Sequence, residues 1–158
     1  MSLEKAKAHL DRFSLSDRIR LFEVSSATVA LAAAALGTEE ARIAKTISLD
    51  TPDGTVLLVT AGDVKISNSK YKQHFHTKAR MLGFDTVEEK TGHAVGGVCP
   101  FGNPEGVRVY LDNSLRRFDK VYPAAGTPSS AVELTVPELE LASSFVEWVD
   151  VTEPITKE

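Results

Sequence analysis

The sequence predicts one α+β domain in which helices flank a curved, mixed β-sheet. Helical and extended patterns are interleaved along the chain, but they do not alternate strictly as β-α-β units do. A hairpin is predicted near the centre, where residues 43–49 and 55–61 are β-like on either side of a Pro-Asp-Gly turn. No repeat or change in composition divides the 158 residues, so we expect a domain over residues 1–152 and a tail over 153–158.

The remaining elements follow from periodicity and from helix-end signals. Apolar residues at helical spacing predict a helix over residues 3–13, and alternation predicts a strand over 19–24. An alanine-rich helix over 28–36 ends at Gly37. Thr135 and Pro137 predict a capped helix over 136–143. Short helices are expected over 67–75, 77–82 and 86–90, and strands over 107–111, 119–122, 131–134 and 145–151.

Composition indicates an ordinary globular chain. The hydrophobic fraction is 42% and the charged fraction 25%, as in soluble proteins. The longest apolar run, residues 29–36, is far shorter than the ~20 residues that a membrane span needs. The first residues have mixed charge and no apolar core of an export signal. A single cysteine excludes an internal disulfide. We therefore expect a cytoplasmic protein that has no membrane partner.

Charge is distributed unevenly along the chain. The net charge of −4 argues against a general nucleic-acid coat protein. Residues 65–80 nevertheless contain no acidic residue, whereas residues 133–158 carry seven acids and one lysine. Two interpretations remain open, a solvated helix face or a local surface that attracts a polyanion. The residues that would form this surface are Lys65, Lys70, Lys72, Lys78 and Arg80.

The most unusual stretch is the glycine-rich loop over residues 91–102, which reads TGHAVGGVCPFG. Four glycines within twelve residues exceed the one or two that an ordinary turn requires. Backbone N–H groups that no side chain covers can approach a small ligand, a phosphate or a developing oxyanion. The alternative is a buried crossing of two chain segments where no Cβ fits. Neither the Rossmann nor the P-loop glycine pattern is present.

Several familiar catalytic patterns are missing from the chain. It has no HExxH motif, no paired-cysteine metal spacing and no Gly-x-Ser-x-Gly elbow. His74 and His76 share one side of a strand but diverge on a helix, and no third ligand is evident, so we expect no metal and no cofactor. Cys99 is a candidate nucleophile without an assigned base, which favours a small buried thiol.

Three further features have both a chemical and a structural interpretation. Lys45 early in a strand, Asp112 in an Asp-Asn-Ser corner and Gly126 in an Ala-Ala-Gly turn would form a pocket if they converged on the loop. Such a pocket suits an anionic or ester group and water attack on a labile bond. Alternatively, Lys45 is a solubility residue at a strand end, Asp112 a turn former and Gly126 a positive-φ position.

Four segments, in this order, resemble the YbaK family, the free-standing relatives of the prolyl-tRNA synthetase editing domain. They are AKTI (44–47), GHAVGGVCPFG (92–102), LDNSL (111–115) and YPAAG (122–126). The resemblance covers about residues 3–151. It implies a mixed, partly barrel-like sheet flanked by helices. It also implies hydrolysis in trans of the ester in mischarged aminoacyl-tRNA, with a small amino acid such as Ala or Cys on tRNA-Pro and prolyl-tRNA synthetase as a partner.

The resemblance also implies roles for individual residues. Lys45 would hold a phosphate or the terminal ribose, and the loop would enclose the aminoacyl group. His93 stands where tyrosine is frequent in the family, so the resemblance does not carry amino-acid specificity. The catalytic residues implied are Lys45, Gly96, Gly97 and Asp112. The substrate-binding residues are Gly92, His93, Val98, Cys99, Pro100, Phe101, Gly102 and Gly126.

The implied chemistry agrees with the absence of a nucleophile from the motifs. An aminoacyl ester is already activated, so its hydrolysis depends on alignment and oxyanion donors. The neighbouring ribose hydroxyl can help to position the water. Two other functions remain open at this point. One is a tRNA- or nucleotide-binding module of the same fold without catalysis, and the other is a hydrolase of another small ester or thioester.

Overall fold

A six-stranded mixed sheet forms the centre of the part of the chain that the computed structural model describes, residues 2–23 and 28–155. The helices are α1 (Ser2–Asp11), α2 (Val29–Leu36), α3 (Asn68–Phe75), α4 (Val87–Thr91) and α5 (Val136–Ser143). The strands are β1 (Ile19–Leu21), β2 (Ile43–Thr51), β3 (Gly54–Ala61), β4 (Val64–Ile66), β5 (Arg108–Asp112), β6 (Lys120–Pro123), β7 (Ser130–Val132), β8 (Leu134–Thr135), β9 (Trp148–Val149) and β10 (Thr152–Pro154).

The strand order of the central sheet is β8-β6-β2-β3-β5-β9. The predicted hairpin supplies its two long strands, and β2 pairs antiparallel with β3 from Ala44–Ala61 to Thr51–Gly54. Parallel pairs join β6 to β2, β5 to β3 and β9 to β5, whereas β8 is antiparallel to β6. The sheet curls into a half-barrel. These features confirm the prediction of an α+β fold with a mixed, partly barrel-like sheet and flanking helices.

The sheet is buried on both faces. In β3, Leu57 and Val59 face the main core beneath α1 and α5, while Val56 and Leu58 face a second cluster that includes Tyr71 of α3. A third cluster packs α2 onto the start of β2. Layers on either side therefore hold the central hairpin in place. No helix among the described residues is long and apolar enough to span a membrane.

Local signals account for several helix ends. The Thr28 side chain accepts a hydrogen bond from the Leu31 N–H, and α2 ends at Gly37 with a φ of 69°. At the start of α5, Thr135 and Glu138 form a reciprocal capping box, with a proline in the first turn. The predicted helix ends at Gly37 and at Thr135 are confirmed.

The helix predicted over residues 77–82 is wrong. Its backbone is extended along the free edge of β2, where the Asp50 N–H donates to the Arg80 carbonyl (2.7 Å) and the Leu82 N–H to the Ser48 carbonyl (3.1 Å). At the start of β2, the same edge pairs with β6, but this pairing includes only Ile43 and Ala44 of β2. An unpaired strand edge therefore overrides the helical propensity of this segment.

Three strand predictions differ from the structure in extent. The predicted strand 145–151 contains only the two residues of β9. The predicted strand 131–134 is divided, because β7 pairs with β1 and β8 pairs with β6. The predicted strand 19–24 ends at Leu21, and residues 24–27 lie outside the described residues. Past residue 152 the chain continues in β10, which pairs with β4, and residues 156–158 lie outside the described residues.

Candidate active site

A cavity of about 490 Å³ opens beside the first half of β2. Its volume lies within the range of small-molecule sites, and its wall is mainly apolar. The wall combines β2, the glycine-rich loop, the 81–87 segment, α2 and the β6–β7 region. Its residues are Thr28, Val29, Ala32, Ile43, Ala44, Lys45, Thr46, Ile47, Ser48, Met81, Leu82, Phe84, Val87, Val95, Gly96, Val98, Tyr122, Ala124, Ser130 and Ala131.

Lys45 is the only charged side chain among the described residues that line this cavity. It is half-buried, and its ammonium group donates a hydrogen bond to the Val64 carbonyl. Burial lowers the pKa of Lys45, and the nearby carboxylate of Asp63 opposes this shift. Asp63 is itself held by Arg117 through two hydrogen bonds of 2.6 and 3.1 Å. The described lining of the cavity thus has one cation, with the ion pair of Asp63 and Arg117 near it.

Thr46 was not among the predicted site residues, yet it lines the same cavity. Its hydroxyl oxygen is buried and has no hydrogen-bond partner among the described residues. A buried hydroxyl without a partner is unfavourable unless a ligand or water satisfies it. The only signal in the sequence is its position next to Lys45 in the AKTI segment.

The glycine-rich loop shows both features that its sequence left open, a side that faces a cavity and a buried chain crossing with no room for a Cβ. Gly96, with a φ of 89°, lines the cavity together with Val98. Gly97 lies at a tight chain crossing, where an added Cβ would stand 2.4 Å from the Thr127 nitrogen and 2.5 Å from the Gly126 carbonyl carbon. The Ala-Ala-Gly turn and the loop therefore meet, and one side of the loop faces the cavity.

Two backbone N–H groups of the residues that line the cavity have no acceptor among the described residues. The Gly97 N–H donates to the Ala94 carbonyl at 2.9 Å, which forms a turn. The N–H groups of Gly96 and Val98 donate to no residue that the structure describes. N–H groups of this kind in the same cavity as a cation are suited to an oxyanion. The structure thus brings Lys45, Gly96 and Val98 to one cavity.

The rest of the loop lies behind this wall, in the core. His93 is fully buried and donates through Nε2 to the Phe101 carbonyl at 2.6 Å, and burial lowers its pKa. Cys99 is also fully buried, and burial raises the pKa of its thiol to about 12. Pro100 is buried as well, and an added Cβ on Gly102 would stand 2.6 Å from the Lys5 carbonyl oxygen. None of these residues, nor Gly92 at the end of α4, lines the cavity.

Asp112 also lies away from the cavity and is only 1% exposed. Its carboxylate accepts hydrogen bonds from the Ser114 N–H (2.9 Å), the Val151 N–H (3.0 Å) and the Thr152 hydroxyl (2.7 Å). It thereby joins the end of β5 to the chain that enters β10. Three of the roughly four acceptor positions of this carboxylate are thus used inside the fold.

The basic residues fall into two groups. Lys65 pairs with Glu153 at 3.7 Å and Lys70 with Asp150 at 3.1 Å. Lys72 and Lys78 form no ion pair with a described residue and line a separate depression of about 390 Å³. Arg80, likewise without such an ion pair, lies on the extended segment that runs from this depression to the cavity. The described residues contain no group of three or more His, Cys, Asp or Glu side chains placed to hold a metal.

The fold and this site define an α+β domain with a small-ligand cavity built from a strand lysine and a glycine-rich loop. Residues 23–141 match the aminoacyl-tRNA editing domain family, and the chain belongs to this family, as the YbaK resemblance predicted. Membership implies a tRNA substrate.

Relatives extend the match over nearly the whole chain. The uncharacterized protein YwhH of Bacillus subtilis is 47% identical over 152 residues, which are 96% of this chain and 97% of that protein. A crystal structure described as a candidate trans-editing enzyme for prolyl-tRNA synthetase has a TM-score of 0.87 at 26% identity, covering 96% of this chain and 97% of that one. The hypothetical protein APE2540 has a TM-score of 0.77 at 32% identity, covering 86% and 91%.

Proposed function

We propose that this chain is a trans-acting deacylase that hydrolyses the ester of tRNA mischarged with a small amino acid such as Ala or Cys. The observation that carries the proposal is that one cavity brings together Lys45, the Thr46 hydroxyl and the N–H groups of Gly96 and Val98, and that this hydroxyl and these N–H groups have no partner among the described residues. We further propose tRNA-Pro as the carrier and prolyl-tRNA synthetase as a partner. The description of a structural relative as a candidate trans-editing enzyme for that synthetase supports this.

The reaction is a water attack on the ester carbonyl. A C–O bond forms between water and the carbonyl carbon, the bond to the ribose oxygen breaks, and the proton lost by water ends on that ribose oxygen. The oxyanion that develops accepts from the Gly96 and Val98 N–H groups, while Lys45 holds the phosphate or ribose beside it. Because the ester is activated, alignment supplies most of the rate without a protein nucleophile. The ribose hydroxyl next to the ester helps to position the water.

Cys99 and Asp112 have no direct part in this mechanism. A buried thiol whose pKa is raised to about 12 is protonated at neutral pH and is not a nucleophile. The carboxylate of Asp112 is occupied by three hydrogen bonds within the fold. In this mechanism, Cys99 helps to hold the glycine-rich loop in place, and Asp112 helps to hold the end of β5.

The acceptor stem of the tRNA would contact the surface that leads to the cavity. Lys72, Lys78 and Arg80 are its main cations, because no acidic side chain among the described residues neutralises them. Phosphate contacts of this kind position a nucleic acid without reading its sequence. Lys65 and Lys70, which are ion-paired, contribute less.

The proposal is tested by a deacylation screen with tRNAs that carry Ala, Cys, Ser, Pro or Thr. We expect turnover of at least one tRNA with a small, noncognate amino acid, and loss of that turnover in Lys45→Ala. Lys7→Ala, which removes an exposed lysine from α1, is the matched control. Binding of charged tRNA without any turnover would identify a binding module instead. Turnover of free small esters or thioesters, but not of aminoacyl-tRNA, would identify a different hydrolase.

A further inference from the structure

Two large apolar side chains stand at the rim of the cavity and are mostly exposed. Phe84 is 83% exposed and Met81 is 70% exposed, the highest values among the exposed large hydrophobic residues that the structure describes. Both line the same cavity, and Val95 of the glycine-rich loop, 39% exposed, joins them there. Single exposed apolar residues are ordinary, but their convergence on one cavity indicates a ligand surface.

The backbone that carries Phe84 is anchored on both sides. Before it, the Leu82 N–H donates to the Ser48 carbonyl of β2. After it, the Gly83 carbonyl accepts from the Thr86 N–H at 3.0 Å and the Val87 N–H at 3.2 Å, which leads directly into α4. The aromatic ring is therefore presented from a defined turn at the cavity mouth.

The cavity has a charged part and an apolar part. Lys45 provides the single cation among the described lining residues, whereas Phe84 and Met81 extend the wall outward as an apolar surface. An alanyl or cysteinyl group alone is too small to fill a cavity of about 490 Å³. A ligand that fits both has an anionic or hydroxyl-rich portion joined to a flat, weakly polar ring.

We infer that Phe84, with Met81 beside it, is the stacking platform for the terminal adenine base of the tRNA. This inference rests on the proposed function, in which the ribose next to that base carries the ester. With Lys45 at the phosphate or ribose, the base extends toward the rim. Aromatic side chains bind bases through their faces, and this contact needs no hydrogen-bond readout. Phe84 is thus a positioning residue for the reacting ester.

The platform is tested directly by titrating the protein with AMP and with ribose 5-phosphate, using calorimetry or NMR. We expect Phe84→Ala to weaken AMP binding on the order of 10-fold, and Phe84→Tyr to retain it. Ribose 5-phosphate lacks the base, so its affinity should not respond to either change. Leu141→Ala is the matched control, since Leu141 is 61% exposed on α5 and lies outside the cavity. Equal affinity of wild type and Phe84→Ala for AMP would overturn the inference.

Kinetics distinguish whether Phe84 contacts the base or the aminoacyl group. Phe84→Ala should raise the KM for alanyl-adenosine and leave unchanged the hydrolysis of ribose 5-phosphate that carries an alanyl ester on its 2- or 3-hydroxyl, which keeps the phosphate and the neighbouring hydroxyl but has no base. Equal losses on both esters would show that Phe84 holds the aminoacyl group, and would overturn the inference.

The inference and the proposed function can fail separately. If no aminoacyl-tRNA is hydrolysed but AMP binding still requires an aromatic residue at 84, the platform stands and deacylation does not. If tRNA deacylation depends on Lys45 while Phe84→Ala changes neither KM nor AMP affinity, deacylation stands and the platform is wrong.

Discussion

Lys45 and Asp112 lie in the same sheet, but their surroundings differ in one decisive respect. Asp112 is 1% exposed and accepts three hydrogen bonds from the chain around it. Lys45 is half-buried and donates one hydrogen bond among the described residues, to the Val64 carbonyl, although an ammonium group has three donors. A polar group whose capacity is used by the fold stabilises the fold, whereas one with unused capacity facing a cavity is available to a ligand.

The largest expected effect is the loss of stability when Asp112 is replaced. Asp112→Ala removes three acceptor contacts and leaves the Val151 N–H buried without its partner. We expect a loss of about 3–5 kcal/mol in the free energy of unfolding, because several buried hydrogen bonds to a charged group are lost together. Urea unfolding measures the loss. A variant that unfolds like wild type but lacks activity would reverse the assignment of Asp112.

Lys45→Ala should give the complementary result. We expect single-turnover deacylation to fall on the order of 10²-fold or more, since the cation that orders the reacting group is lost. The free energy of unfolding should change by less than about 1 kcal/mol, because the side chain is half-buried and makes one hydrogen bond. An unchanged single-turnover rate would exclude Lys45 from the site.

The two adjacent glycines sharpen the comparison within the loop. Gly97→Ala forces a Cβ to within 2.4 Å of the Thr127 nitrogen, so we expect a stability loss of roughly 1–3 kcal/mol from overpacking. Gly96→Ala places a side chain at a φ of 89° on the cavity wall, so it should lower activity per folded molecule. Activity is to be normalised to the folded fraction. If Gly96→Ala loses activity only in proportion to folded protein, Gly96 is structural too.

Two histidines, His9, which is half-buried, and His93, which is fully buried, extend the comparison to pH. Burial lowers the pKa of both His9 and His93 below the ordinary value of about 6.5, so the fold favours their neutral forms. The unfolded chain takes up these protons first, so stability is complete above about pH 6.5 and falls as the pH decreases below it. Urea unfolding between about pH 8 and pH 5 measures this loss. His93→Gln should reduce the slope, and an unchanged slope would contradict the assignment.

The smallest effects are expected on the basic surface. Lys72→Gln should weaken tRNA binding a few-fold and flatten the log–log dependence of affinity on salt by somewhat less than about one unit. Lys70→Gln should do less, because Asp150 already pairs with Lys70 at 3.1 Å. Filter binding over a range of salt concentrations tests both variants. Equal slopes for wild type and Lys72→Gln would show that this surface does not contact phosphates.

Short-range signals in the sequence predicted much of the fold. The cap at Thr135 and the hairpin turn depend on residues within a few positions of each other, and both are as expected. The segment 77–82 depends instead on a strand edge about thirty residues earlier, at Ser48 and Asp50. Local propensity carries no information about that edge, which explains the wrong helix.

The same limit applies to the site. The resemblance identified Lys45 and Gly96, which line the cavity. It grouped them with His93 and Asp112, which the structure buries elsewhere, because a motif gives spacing but not the direction of a side chain. Thr46 and Phe84 also line the cavity and were not predicted, because the sequence shows neither a hydroxyl without a partner among the described residues nor exposure at a rim.

Because Cys99 is buried, a cysteine introduced on the surface can be labelled selectively. The sequence has one cysteine, its side chain is fully buried, and the pKa of its thiol is raised to about 12. Maleimides and disulfide reagents attack exposed thiolates, which the folded chain does not offer at neutral pH. A cysteine introduced on the surface therefore accepts a fluorophore or spin label without prior removal of Cys99. Slow modification of Cys99 itself then becomes a clock for opening of the core.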